Sequence, residues 1–214
     1  MEVLDFIIAN LDLLGKLTVE HIALVGVAVG LATLTGVPIG IVITQNDRAA
    51  AIVLYAASIL ITIPSIALFG IMIPLLSTIG HGIGYLPAVI AVLLYSQLPI
   101  IRNTYTAIHN VSPGLREAAR GIGMTSAQRL QKVEIPLSVP LIMAGVRTAV
   151  VMNIGVMAIA AYIGAGGLGV LISRGISQSD PRQLVVGAIA VSLLAIIADR
   201  SLLLLQRKLT PRGL

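Results

Sequence analysis

The sequence predicts an all-α, polytopic integral membrane protein with five transmembrane helices, and three observations predict it. Hydrophobic residues make up 57% of the 214-residue chain and charged residues only 11%, whereas about a quarter of a soluble domain is charged. The charges are also clustered: between Arg48 and Arg102 there is no Asp, Glu, Lys or Arg. The uncharged runs, finally, have the length of a bilayer crossing, about 20 residues for ~30 Å of hydrocarbon. A chain of this length holds five or six spans with short loops and leaves no room for a separate catalytic domain, so residues 1–214 read as one transmembrane domain.

Each element follows in order. Residues 3–17 set Leu4, Ile7, Ile8, Leu11 and Leu14 at helical spacing opposite Asp5, Asp12 and Lys16, which predicts an interfacial helix within 1–20 on the outer surface. The first charges are acidic and no short apolar run leads to a cleavage site, so this is not read as a signal peptide. Residues 22–43 form the first span, about 33 Å of helix. The second, 49–76, contains Pro64 and Pro74 and is expected to be one kinked or tilted helix. The third runs over 84–101, the fourth from Pro136 to about Tyr162, and the fifth over 184–205 with Asp199 and Arg200 in its final turns. Gly26-x3-Gly30 and Gly36-x3-Gly40 in the first span have close-packing spacing, although in a glycine-rich chain such spacings also arise by chance.

Lys and Arg orient the spans. Arg48, Arg102, Arg116, Arg120, Arg129, Lys132, Arg207, Lys208 and Arg212 fall in one set of connections. The other set holds only Lys16, Arg174 and Arg182. The bias predicts a cytoplasmic 102–138 region and C-terminus, and an outer N-terminus.

The polar island 112–136 is the chemically distinctive stretch. Ser112-Pro113 reads as a helix start, and Leu115, Ala118, Ala119 and Ile122 give that helix one apolar face. Gly121 and Gly123 allow the chain to leave it with positive φ. Thr125-x-x-Gln128 is a capping box for a second short helix, which Pro136 is expected to stop. The paired alanines permit near-backbone approach of a partner surface, and Glu117 adds a fixed charge beside them.

This segment resembles the EAA loop of binding-protein-dependent ABC importer permeases: Glu117-Ala118-Ala119, three residues, Gly123, nine residues, then Val133-Glu134-Ile135-Pro136. Val and Ile stand where that pattern has Ile and Leu. The segments YSQLPIIRNTYTAI (95–108), MAGVRTA (143–149) and AAYIGAGGLG (160–169) are similar to those of permeases for glycine betaine, carnitine, choline and related osmoprotectants. The resemblance implies a type I ABC importer fold like that of methionine permeases, in a bacterial plasma membrane. It implies the membrane subunit of an ATP-driven importer for a small osmoprotectant, with methionine or another amino acid as the alternative cargo. It further implies that Glu117, Ala118, Ala119, Gly123 and Pro136 couple to ATP-binding cassette ATPase subunits. An extracytoplasmic substrate-binding protein and a second permease subunit, identical or paralogous, complete the implied assembly.

Other signals point away from catalysis. No GxxxxGK[ST] occurs, so ATP hydrolysis is assigned to a separate polypeptide. Gly164-Ala-Gly166-Gly-Leu-Gly169 spells a dinucleotide fingerprint, but it follows an apolar span and reads as a turn at the outer mouth. The absence of Cys and the scattered His21, His81 and His109 suggest no metal site, and no cofactor or catalytic residue is expected. No nucleic-acid partner is expected for a chain whose basic residues lie among apolar runs. For the translocation path, Tyr95 and Tyr162 are the candidate aromatics, with interfacial anchoring as the other reading. Arg147, about 12 Å into the fourth span, either lines a cavity or snorkels to the interface.

Overall fold

Uninterrupted apolar sequence becomes long helix in the computed structural model, which describes residues 2–210. The tail from Pro211, with Arg212, lies outside the described residues. The first elements are α1 (Glu2–Ala9) and α2 (Leu11–Val42). The amphipathic stretch is therefore divided at Asn10: residues 11–20 continue directly into the first long helix. A 3-10 turn (Ile43–Gln45) closes α2. Asn46 then starts the next helix, its Oδ1 accepting from the amides of Arg48 at 3.0 Å and Ala49 at 3.1 Å.

The second predicted span is not one kinked helix. It is two, α3 (Asp47–Thr62) and α4 (Ser65–Ser77), bent by 98°. Pro64 explains the break: it has no N–H to give and disfavours helical ψ at the preceding residue. Ile63 accordingly takes ψ 126, and its freed carbonyl accepts the Tyr95 hydroxyl.

The third long helix, α5 (Tyr85–His109), extends about two turns past its expected end. It is the most buried of the long helices and lies between α2 and the fourth span. Its Ala88, Val92 and Ile100 join Leu24, Ala28, Phe69 and Met157 in the main core. Two close approaches fix the stack. A Cβ added at Gly40 of α2 would lie 2.6 Å from Thr104 Cβ, and one at Gly145 would lie 2.7 Å from the Pro99 carbonyl oxygen. Gly26 and Gly30, at the same spacing in the same helix, face open space. Among the described residues, then, the second of these Gly-x3-Gly pairs serves packing and the first does not. Inside the stack, Asn153 Nδ2 donates to Ser96 Oγ at 2.9 Å.

After α5 come α6 (Pro113–Gly121) and α7 (Ser126–Arg129), then a π turn (Leu130–Glu134) leading into α8 (Ile135–Ile159). Pro136 does not stop the second short helix as expected. Its first-turn position in α8 tolerates a missing N–H, and the wider π turn before it relieves the clash a proline makes with the carbonyl four residues back. The helical run is thus continuous from Ser126 to Ile163, ending in a 3-10 turn (Ala160–Ile163). A glycine turn, the short α9 (Gly169–Ser177), which sequence patterning had not separated from a loop, and α10 (Pro181–Leu209) complete the described chain. Four helical runs, Leu11–Gln45, Tyr85–His109, Ser126–Ile163 and Pro181–Leu209, are long and apolar enough to cross a membrane. The broken α3–α4 pair is the fifth candidate.

Candidate coupling surface and path residues

Pro113 occupies the first turn of α6, as its fixed φ favours, but the Ser112 hydroxyl makes no capping bond. Of the predicted apolar face, only Ala119 is buried. Leu115 and Ile122 are 48% and 75% exposed, beside exposed Glu117 and Ala118. The helix thus presents a small apolar face with a carboxylate on it. Its end is a Schellman motif: Met124 N–H donates to the Ala119 carbonyl at 3.1 Å and Gly123 N–H to that of Arg120 at 2.9 Å. Gly123 has φ 83, which only glycine adopts without strain, while Gly121 remains helical. The Thr125–Gln128 capping box forms in both directions.

Behind this surface sits Glu134, only 6% exposed. Its Oε1 accepts a hydrogen bond from Arg129 Nε at 2.9 Å and forms an ion pair with Arg116, whose Nε lies 3.2 Å away without hydrogen-bond geometry. Arg116 also donates Nη2 to the Ile108 carbonyl at the end of α5. A cavity of about 340 Å³ borders the cluster, lined also by Gln45, His109 and Ser126. Glu134 lies inside the motif yet was not singled out from the sequence. The signal, an acid preceded by two arginines in a loop, was available, but nothing in spacing showed the three side chains converging.

Glu117, Ala118, Ala119 and Gly123 fall together on α6 and its end, whereas Pro136 lies in α8, beyond the π turn. The three path candidates are not brought together. Tyr95 is buried in the core with its hydroxyl on the Ile63 carbonyl, so it is not an interfacial anchor. Tyr162 is 54% exposed in the 3-10 turn after α8. Arg147 Nε pairs with Asp199 Oδ1 of α10 at 3.0 Å. Gln206 is next to it, accepting from Arg147 at 3.4 Å and donating to the Pro140 carbonyl at 2.9 Å. Neither reading of Arg147 from the sequence included a partner. The pairing ties the fourth and fifth spans and satisfies a charge that is costly when alone in a span.

A second site missed by sequence reading holds the GAGGLG turn. Glu20 Oε2 accepts the Gly167 amide at 3.2 Å, and His21 Nδ1 accepts the Leu168 amide at 3.2 Å. Because Nδ1 accepts, the ring proton lies on Nε2, which donates to the Ile154 carbonyl at 3.0 Å. Gly166 and Gly167 have φ 86 and 72. The motif is therefore a glycine-dependent turn gripped by α2, with the amides of Gly167 and Leu168 spent on side chains.

Known proteins resemble this chain along its whole length. Residues 36–211 match the family model for the binding-protein-dependent transport system inner membrane component. The chain is 59% identical over 214 residues to the osmoprotectant import permease protein OsmW of Salmonella typhimurium, covering 100% of each chain. It is 43% identical over 197 residues to the choline transport system permease protein OpuBB of Bacillus subtilis, covering 92% of this chain and 88% of the relative. Among solved structures, a chain of the MetNI methionine ABC transporter in an inward-facing conformation superimposes with TM-score 0.85 at 23% identity, over 95% of this chain and 99% of the other. That likeness establishes the type I importer permease fold. On the family match and the end-to-end identity together, the chain belongs to the binding-protein-dependent transport system inner membrane components.

Proposed function

We propose that this chain is the translocating subunit of an ATP-driven importer for a small quaternary ammonium osmoprotectant, a compound of the glycine betaine, carnitine or choline class. The observation that carries the cargo class is the 59% identity, without gaps in coverage, to a relative named for osmoprotectant import. Relatives named for choline and carnitine transport support it further. They favour this reading over methionine, for which the likeness is one of fold.

An extracytoplasmic binding protein delivers the solute, and a second permease subunit completes the path. In this reading α6 docks on an ATP-binding subunit: Glu117 supplies the charge, and Ala118 with the exposed Leu115 and Ile122 supplies the contact face. Ala119 seats the helix, and Gly123 sets its exit. The charge bias places α6 and the C-terminus in the cytoplasm and the N-terminus outside. Tyr95 supports the broken second span instead of lining an open path, and the Arg147–Asp199 pair sits where α8 and α10 move past one another.

The test is uptake of labelled glycine betaine by cells lacking the gene and by complemented cells, with choline, carnitine and methionine as competitors. Uptake requires the gene, is suppressed by Glu117→Lys, and is competed by quaternary ammonium compounds. Competition by methionine alone would overturn the cargo class.

A further inference from the structure

We infer that Glu134 is a positioning residue for energy coupling: one buried carboxylate clasps the docking helices to the first turn of the fourth span. The inference rests on the docking reading of α6 given above. Four pieces of backbone converge on this side chain. Arg116 belongs to α6, Arg129 to α7, and Glu134 itself ends the π turn that opens into α8. Through its hydrogen bond to the Ile108 carbonyl, Arg116, ion-paired with Glu134, also takes in the end of α5.

Without the clasp, α6 is held by little else. Apart from Ala119, its apolar residues are exposed, and its C-terminal glycine turn has open space around it. A force applied to α6 through Glu117 and Ala118 would then bend the Gly123 turn and leave α8 where it was. With the clasp, α6, α7 and the start of α8 move as one body. A buried carboxylate that accepts a charge-assisted hydrogen bond from Arg129 and pairs with the Arg116 guanidinium 3.2 Å away is suited to this, because a part-buried ion cluster is directional on its bonded side and less screened by salt than an exposed one. The residue is distinct from the docking face: Glu117 points to solvent, Glu134 is 6% exposed.

The experiment compares complete importers, the chain with its copurifying ATPase and loaded binding protein, reconstituted in proteoliposomes with labelled glycine betaine. Glu134→Gln retains the ATPase and continues to hydrolyse ATP. Solute moved per ATP falls at least tenfold, and hydrolysis no longer responds to loaded binding protein. Glu134→Asp, which keeps the charge, recovers part of the coupling. A Glu134→Gln importer with wild-type solute per ATP overturns the inference. So does loss of the ATPase from that complex, which would make Glu134 part of the docking face.

Should Glu134→Gln fail to accumulate, Arg116→Gln and Arg129→Gln each remove one arm and leave the carboxylate paired. Several-fold uncoupling is expected of each, and wild-type coupling in both overturns the clasp. Glu117→Lys separates the two proposals. If that variant keeps its ATPase and transports, the docking reading fails. If it releases the ATPase while Glu134→Gln couples normally, only the clasp fails.

Discussion

The two ends of the fourth span are both reached through glycine turns, and the turns are built on opposite plans. At one end, Gly123 lies in open space and the neighbouring helices are held by charged side chains meeting on Glu134. At the other, the turn amides of Gly167 and Leu168 are taken by Glu20 and His21, and Gly167 and Gly169 have no room for a side chain. The first plan leaves a surface free for another molecule. The second locks a turn onto α2. The difference teaches that a glycine motif describes the path of the backbone and says nothing of what the turn is for until its hydrogen-bond partners are known.

The largest effect should come from removing room at the locked end. A Cβ at Gly169 would lie 1.9 Å from the Ala158 carbonyl oxygen, a backbone atom that cannot swing away. Gly169→Ala should therefore cost more than about 3 kcal/mol, at or beyond the upper end of overpacking penalties, seen as loss of protein from membranes or rapid thermal inactivation in detergent. Normal stability of this variant would mean the turn is not locked.

Next is His21→Ala, which leaves the Leu168 amide without its acceptor in a fully buried place. A cost of about 1–3 kcal/mol is expected from that group alone, measurable as a lowered inactivation temperature. His21→Gln should restore part of it.

At the open end the sign reverses. Gly121 is helical, exposed and has nothing within 4 Å of an added Cβ. Gly121→Ala should stabilise α6 by roughly 0.5–1 kcal/mol, unless the docked partner needs the space, in which case ATPase copurification falls while thermal stability does not.

The smallest effect concerns pH. The cap of α10 is Asp180, whose Oδ1 accepts the Arg182 amide at 3.0 Å. Hydrogen bonds from the Arg182 side chain, then from Gln183, hold its carboxyl down at about 2, below the ordinary 3.8. A depressed carboxyl contributes fully above the unfolded value and loses its contribution as pH falls through the folded one. Titration from pH 7 to about 4.5 should leave the cap unchanged, as amide exchange at the start of α10 would report.

Much of the frame was legible because membranes impose simple arithmetic. Long apolar runs located all four long helical runs, and proline and capping patterns located α6 and the Thr125–Gln128 box. Two errors had one source, the treatment of proline as a local symbol. Pro64 broke a span because the residue before it could become extended while Tyr95 took its freed carbonyl. Pro136 broke nothing because a π turn had prepared its place. The charge contacts were illegible for a different reason. Arg147 with Asp199, Glu20 and His21 with the glycine turn, and Glu134 with its two arginines join residues whose meeting depends on how helices rotate about their axes. Hydropathy constrains that rotation only weakly when most of the surface is apolar.

The continuous helix from Ser126 to Ile163 carries one more consequence. It is about 57 Å long, nearly twice the hydrocarbon thickness of a bilayer. Gly145, where α5 lies too near to admit a side chain, falls close to its middle. A rod with its fulcrum at the centre has arms of equal length, so a small swing at one end returns as a swing of the same size and opposite sense at the other. On the importer reading proposed above, opening on one face and closing on the other would be the two ends of a single lever.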